Sequence, residues 1–148
     1  MENMSAMVRV SGRLRFRAEA SRVFVHLARS VLAHALEPQQ DEVILRDATM
    51  LTRYETKLGP LKVLTTEEAT LEPGRSITWR HVDGPLTGSV ERFRVQVGRG
   101  GGTIVCYEGQ IRARNSLLRG PLERLFVAPV TRMVSMKALK DAKKSLER

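Results

Sequence analysis

The sequence of 148 residues holds one cysteine, Cys106. No internal disulfide can form, which suits a reducing compartment. Aromatic residues make up only 5%, with a single tryptophan, Trp79. That scarcity argues against RNA-binding sheets, which stack bases on exposed aromatic pairs. No apolar run approaches the ~20 residues of a membrane-spanning helix. Met1 to Val10 lacks the basic-then-apolar order of a secretory leader. Residues with metal-binding side chains are poorly spaced: His26 and His34 lie eight apart with no cysteine or carboxylate at ligand distance along the chain. The glycine run from Gly98 to Gly102 lacks the GK[ST] ending of a phosphate loop and joins two strands. The expectation is a cytoplasmic protein with neither metal nor cofactor, as a monomer or homodimer.

Acidic residues are also short, 16 against 25 lysines and arginines, giving a net charge of +9. Such a field invites an anionic partner but says nothing about fold.

What is present is alternation. From Met7 to Arg17, Val8, Val10, Leu14 and Phe16 share one parity, and Arg9, Arg13, Arg15 and Arg17 share the other. Period two with one apolar side is a half-buried strand. Ser21 reads as the N-cap of a helix carrying Val23, Phe24, Leu27 and Val31. Leu32 to Leu36 continues that helix or forms a second short one, ended by Pro38. From Asp41 to Ala113 the turn signals Gly59-Pro60, Pro73-Gly74, Asp83-Gly84-Pro85 and Gly98–Gly102 separate six strands, at 42–47, 49–58, 61–71, 75–82, 86–97 and 103–113. No crossover helices intervene, so neighbours pair antiparallel. Residues 116–148 form one long helix, with Leu118, Leu122, Leu125, Phe126, Met133, Met136 and Leu139 on its apolar side and a kink or break at Pro129. The predicted fold is one α+β domain: a seven-stranded curved antiparallel sheet around a long C-terminal helix, with one or two short helices after the first strand.

The opening segment VRVSGRLRFRAEASRVFVHLARS and the closing segment GPLERLFVAPVTRMVSMKALKDAKKSLER resemble the helix-grip (START-like, SRPBCC) superfamily. The nearest likeness is to its polyketide cyclase/dehydrase-like branch. The strands ITWRHVDGPLTGSVERFRVQV and GGTIVCYEGQI share that cadence, and the resemblance spans the whole chain. The Trp and Pro-Gly that often follow the first helices are absent; AHALEPQQDEV stands there. The resemblance implies a cavity for an apolar molecule such as a lipid, quinone or polyketide, in a carrier or in an enzyme.

Strand parity selects what faces that cavity. With charged positions turned outward, the inward residues are Met50, Thr52 and Tyr54; Val63, Thr65, Glu67 and Ala69; Ile77, Trp79 and His81; Glu91, Phe93, Val95 and Val97; and Val105, Tyr107, Gly109 and Ile111. The hairpin at Gly98–Gly102 sets Val97 opposite Thr103, Phe93 opposite Tyr107 and Glu91 opposite Gly109. A three-residue turn at 83–85 sets Trp79 near Ser89 and Ile77 near Glu91. The turn at 73–75 sets Glu67, or with a one-residue shift Thr65, opposite His81. Candidate ligand-binding residues are therefore Tyr54, Glu67, Trp79, Glu91, Phe93, Tyr107, Phe126 and Met133. Glu91, His81 and Tyr107 are the candidate acid/base groups, and His81 with Glu67 a candidate proton-transfer pair. Taken singly, Glu91 reads first as a structural charge held by a tyrosine hydroxyl or a basic helix group.

The outward parity gathers Arg9, Arg13, Arg15, Arg17, Arg112, Arg92, Arg94 and Arg80, tempered by Glu108. The chain from Arg112 onward adds ten basic and three acidic residues. This face suits an anionic membrane better than nucleic acid. Three functions stay open: a carrier of a hydrophobic small molecule, a cyclase or dehydratase using cavity acid/base groups, and a basic interaction protein.

Overall fold

The computed structural model describes residues 7–36, 41–58, 60–84, 86–112 and 121–148. Its elements are β1 (Val8–Phe16), α1 (Ala20–Leu32), a 3-10 helix (Asp41–Leu45), β2 (Ala48–Leu58), β3 (Leu61–Glu72), β4 (Ser76–Asp83), β5 (Val90–Val97), β6 (Thr103–Ile111) and α2 (Pro121–Leu146). The strands form one curved antiparallel sheet in the order β1-β6-β5-β4-β3-β2.

The sheet has six strands rather than seven. Residues 42–47 were expected as a strand, and a 3-10 helix occupies 41–45 instead. Val43 and Ile44 are consecutive rather than alternating, and Ile44 buries against α1. One helix, not two, follows β1. Beyond Leu32 the chain turns and runs along β2, the edge strand: Leu36 N–H donates to Leu51 O (2.9 Å) and Arg53 N–H to His34 O (3.0 Å). An otherwise bare strand edge is thereby covered.

Helix α1 starts earlier than the Ser21 signal. Its N-cap is Glu19, which makes no side-chain capping bond, and Val23 N–H already donates to Glu19 O (3.0 Å). The apolar spacing is as read: Val23, Phe24, Leu27, Ala28 and Val31 are buried.

Strand β5 begins at Val90, not 86. Leu86–Gly88 is turn, and Gly88 holds a φ of +92°, a conformation that costs a glycine little. The lengthened connection moves the β4/β5 pairing by two residues. Trp79 lies opposite Glu91 and Ile77 opposite Phe93, rather than Ser89 and Glu91. The β5/β6 register is the expected one: Val97 opposite Thr103, Phe93 opposite Tyr107, Glu91 opposite Gly109. Val97, read as inward, is 77% exposed because it ends its strand beyond the cover of the core.

Helix α2 runs unbroken through Pro129, which is exposed. It packs on β1 and β6. Gly12 of β1 permits the approach, since a Cβ there would lie 2.6 Å from Met136 Sδ. The buried face of α2 carries Ala128, Ser135, Met136, Leu139 and Ala142. Met133 is 61% exposed, against the expectation. At ~100° per residue, two steps of three from Leu139 rotate Met133 ~120° off the packed face. Leu118 lies outside the described residues, as do the side chains of Leu122, Leu125 and Phe126.

Candidate functional site

Three strands and α2 converge on one carboxylate. Glu91 on β5 points to the inner face of the sheet and is 3% exposed. Its Oε1 accepts from the Tyr107 hydroxyl (2.5 Å) and the Ser135 hydroxyl (2.9 Å). Its Oε2 accepts from Trp79 Nε1 (2.6 Å) and pairs with His81 Nε2 (2.8 Å). Tyr107 reaches Glu91 because Gly109, two residues on, has no side chain. A Cβ there would lie 2.8 Å from the Tyr107 oxygen. Trp79 packs edge-on to Phe93 (4.7 Å between centroids), and Phe93 packs the same way on Tyr107 (5.9 Å).

Burial alone would push the Glu91 carboxyl up. The hydrogen bond and charge of His81, with the Tyr107 and Ser135 hydroxyls, outweigh it, and the group sits below its ordinary value. Glu91 is therefore an ionised carboxylate with donors on both oxygens. Burial, the Glu91 charge and the hydrogen bond to it push the Tyr107 phenol up, so it stays protonated and donates.

Glu67 on β3 is the second buried carboxylate, 7% exposed. It lies directly opposite His81 on β4, the first of the two alternatives read from the turn, and opposite Thr52 on β2. A register irregularity beside Glu67 makes Val82 the extra residue of β4, next to His81. Such bulges re-aim side chains. Among the described residues no hydrogen bond reaches Glu67; its nearest charged neighbour is His81 Nδ1 at 3.6 Å, beyond hydrogen-bond reach. Burial, reinforced by the Glu91 charge, pushes its carboxyl up to about 7, against the pull of His81. Tyr54 stands one inward step along β2, half-buried and stacked on His34 (4.3 Å). Burial and then the Glu67 charge push its phenol up.

His81, 5% exposed, sits between the two carboxylates. Because Glu91 is an ionised acceptor, Nε2 carries the hydrogen of that pair, and Nδ1 is left facing Glu67 with no partner. Nδ1 and the Glu67 carboxyl are therefore poised to share one proton. Glu67, His81 and Glu91 each bring a metal-competent atom within 4.8 Å of the others. Yet the Glu91 oxygens are occupied by four donors, and His81 turns opposite ring nitrogens to the two carboxylates. That geometry fits proton sharing rather than three ligands around one cation.

The structure thus brings Glu67, Trp79, His81, Glu91, Phe93 and Tyr107 together. Tyr54 flanks the cluster, Met133 is turned away, and the Phe126 side chain lies outside the described residues. The sequence reading missed Ser135 and the unpartnered Thr52 hydroxyl. Ser135 could have been found from its place one turn before Leu139. A separate surface cleft of about 370 Å³ is walled by Arg15, Arg17, Lys143 and Gly100–Gly102, and no cluster residue lines it.

No family model matches the sequence, and no curated protein does. Solved structures do. The Zhui aromatase/cyclase of a Streptomyces species superposes at a TM-score of 0.76 with 17% identity, over 97% of this chain and 95% of that one. A START superfamily protein of Mycobacterium smegmatis gives 0.64 with 13% identity, over 95% and 99%. Norcoclaurine synthase of Thalictrum flavum, in complex with dopamine and hydroxybenzaldehyde, gives 0.61 with 13% identity, over 95% and 86%. An antiparallel sheet wrapped on a C-terminal helix, shared end to end with these proteins, gives the chain the helix-grip fold that its sequence resembles.

Proposed function

We propose that the protein binds a largely apolar small molecule, of lipid, quinone or polyketide-like type, on the inner face of its sheet. The observation that carries this reading is the cluster of Glu67, His81, Glu91 and Tyr107 set among Trp79, Phe93 and Ile77. A few convergent polar groups in an apolar surround are the general pattern of a small-molecule site. The fold neighbours include an aromatase/cyclase and a norcoclaurine synthase in complex with dopamine and hydroxybenzaldehyde. Native mass spectrometry of the purified protein tests the reading. The expected result is a co-purifying apolar molecule released on denaturation. A bare mass from several expression hosts, with no uptake from a lipid extract, counts against it.

A specific observation favours a second reading, an enzyme of the cyclase or dehydratase kind. Glu67, with a carboxyl near neutrality, faces the free Nδ1 of His81. A carboxyl tuned to the working pH is suited to general acid/base transfer. Glu91, already filled with donors, holds the imidazole and does not itself exchange protons. Under this reading Glu67→Gln abolishes turnover and leaves ligand affinity within about threefold. A carrier shows no turnover to lose.

We also propose that the outer face meets an anionic membrane, from which an apolar ligand is collected. Arg9, Arg13, Arg15, Arg17, Arg80, Arg92 and Arg94 are exposed, and β1, β6, β5 and β4 are neighbours in that order. Arg112 does not join them as expected. It is half-buried past the end of β6, its N–H donating to Ser89 Oγ (2.7 Å). Among the described residues no helix is long and apolar enough to cross a membrane.

A further inference from the structure

Three inward residues form a single row across neighbouring strands: Thr52 on β2, Glu67 on β3 and His81 on β4. All three are buried. Two of the three buried side-chain polar atoms without a hydrogen-bond partner among the described residues belong to this row: Thr52 Oγ1 and His81 Nδ1. They stand on either side of Glu67, which receives no hydrogen bond either. One register step away, by contrast, Glu91 takes four. Unpaired buried polar atoms are uncommon in folded proteins, and each one needs an account. Two of them flanking the same carboxyl leave a compact gap in the hydrogen bonding of the row.

We propose that the row Thr52–Glu67–His81 is a subsite for one hydroxyl group, phenolic or enolic, on an otherwise apolar ligand. This deepens the binding reading above and rests on it. The group's chemistry follows from the atoms left open. His81 Nδ1, with Nε2–H committed to Glu91, is left without a hydrogen-bond partner. Thr52 Oγ1 carries a hydrogen that needs an acceptor. A hydroxyl oxygen accepts from Thr52 and also meets Nδ1 in either state, giving its own hydrogen to a bare nitrogen or accepting from a protonated one; a carbonyl or ether oxygen can only accept. Protonated Glu67 supplies a second donor to the same oxygen. An ammonium group could donate to Nδ1 but would enter a protein of net charge +9 and offer nothing to the threonine hydrogen. The ligand would thus lie with its hydroxyl toward β2–β4 and its apolar body along Trp79 and Phe93.

The test is a titration with three naphthalene probes of matched size: 2-naphthol, 2-methylnaphthalene and the 2-naphthylmethylammonium cation, read by calorimetry at pH 6. A hydrogen bond to a buried group is worth about fivefold in affinity, so two predict that 2-naphthol binds at least about tenfold tighter than 2-methylnaphthalene. Thr52→Val, close in shape, and Glu67→Leu should each cut that preference several-fold. Both variants should still bind 2-methylnaphthalene, which reports that they are folded; the hydroxyl-over-methyl preference is the readout. Equal affinity for the hydroxyl and methyl probes overturns the subsite and leaves the binding reading intact; the gap would then be filled by water. Tightest binding of the cation overturns the assignment of ligand class. Binding of none of the three overturns the subsite together with the cavity it rests on.

Discussion

The two buried glutamates sit on opposite sides of one imidazole and have been given opposite surroundings. Glu91, on the half of the sheet gripped by α2, collects Tyr107, Ser135, Trp79 and His81 and is held ionised. Glu67, toward the β2 edge, collects none and is pushed toward neutrality. Two carboxylates whose environments drive them apart have divided their roles. Glu91 is scaffold: its charge is compensated, and its donors lock the strands to the helix. Glu67 is receptive: its proton and its open lone pairs are free to meet a ligand.

The largest effect should therefore come from breaking the scaffold side. Glu91→Ala leaves four donors without an acceptor, three of them on buried residues, and should cost ~3–5 kcal/mol in urea denaturation at pH 7. Glu67→Gln at the same pH should cost nothing or stabilise, since it removes a carboxyl that ionises against its surroundings. Equal losses in the two variants would abolish the distinction.

The pH dependence sharpens the same contrast. Glu67 has its folded value raised, so between its ordinary value of 4.5 and about 7 the native state binds more protons than the unfolded one. Stability must fall as pH rises through that window, by up to ~3 kcal/mol from this group. Glu91 has its value lowered, so its contribution is present above the ordinary carboxylate value and is lost as pH falls below it. Wild-type stability should peak near pH 5. In Glu67→Gln the decline from pH 5 to 7 should be absent, and a denaturation series in steps of half a pH unit reads it. A wild-type curve flat from pH 5 to 8 would contradict the placement of Glu67.

A smaller effect tests how the scaffold is built. In Gly109→Ala the new Cβ meets the Tyr107 oxygen at 2.8 Å and Val10 Cγ2 at 2.9 Å. Overpacking of this kind costs ~1–3 kcal/mol. Combined with Tyr107→Phe, which removes the clashing oxygen, the added cost of the alanine should shrink. Strict additivity in the double-mutant cycle would show that the glycine serves the strand and not the tyrosine.

The antiparallel pairing of successive strands was legible because no crossover helix intervenes, and most of the inner face because alternation is a local property of each strand. The β5/β6 pairing was readable from one glycine loop, and with it the meeting of Glu91 and Tyr107. The β4/β5 pairing was not. Nothing in DGPLTG announces that Leu86–Gly88 continues the turn, and the two-residue error hid the Trp79–Glu91 bond. Nor does alternation reveal the bulge at Val82. Strand 42–47 failed because Val43-Ile44-Leu45 has strand composition without strand period. Met133 failed because a step of three drifts around a helix, while the packed face follows 128, 135, 139 and 142. Ser135 stayed hidden for a related reason: its place one turn before Leu139 puts it on the packed face, but a small polar residue there does not name its partner on the sheet.

The smallest effect concerns the outer face, whose arginines differ in what already holds them. Arg94 is paired with Glu108 at 2.6 Å, and Arg92 Nε donates to Thr78 Oγ1 at 3.0 Å. Arg13, directly across Cys106 from Arg94 in the pairing of β1, β6 and β5, makes no such tie among the described residues and is exposed. A basic residue near an anionic surface contributes ~1 kcal/mol, and one already neutralised contributes less. Arg13→Gln should therefore weaken co-sedimentation with vesicles containing anionic lipid by about fivefold at low salt, and Arg94→Gln by less. Both losses should fade at high salt. Equal binding to neutral and anionic vesicles at every salt concentration would remove the outer face from the account. The inner-face contrast between Glu91 and Glu67 would be untouched, because no arginine of this face bonds to either carboxylate among the described residues.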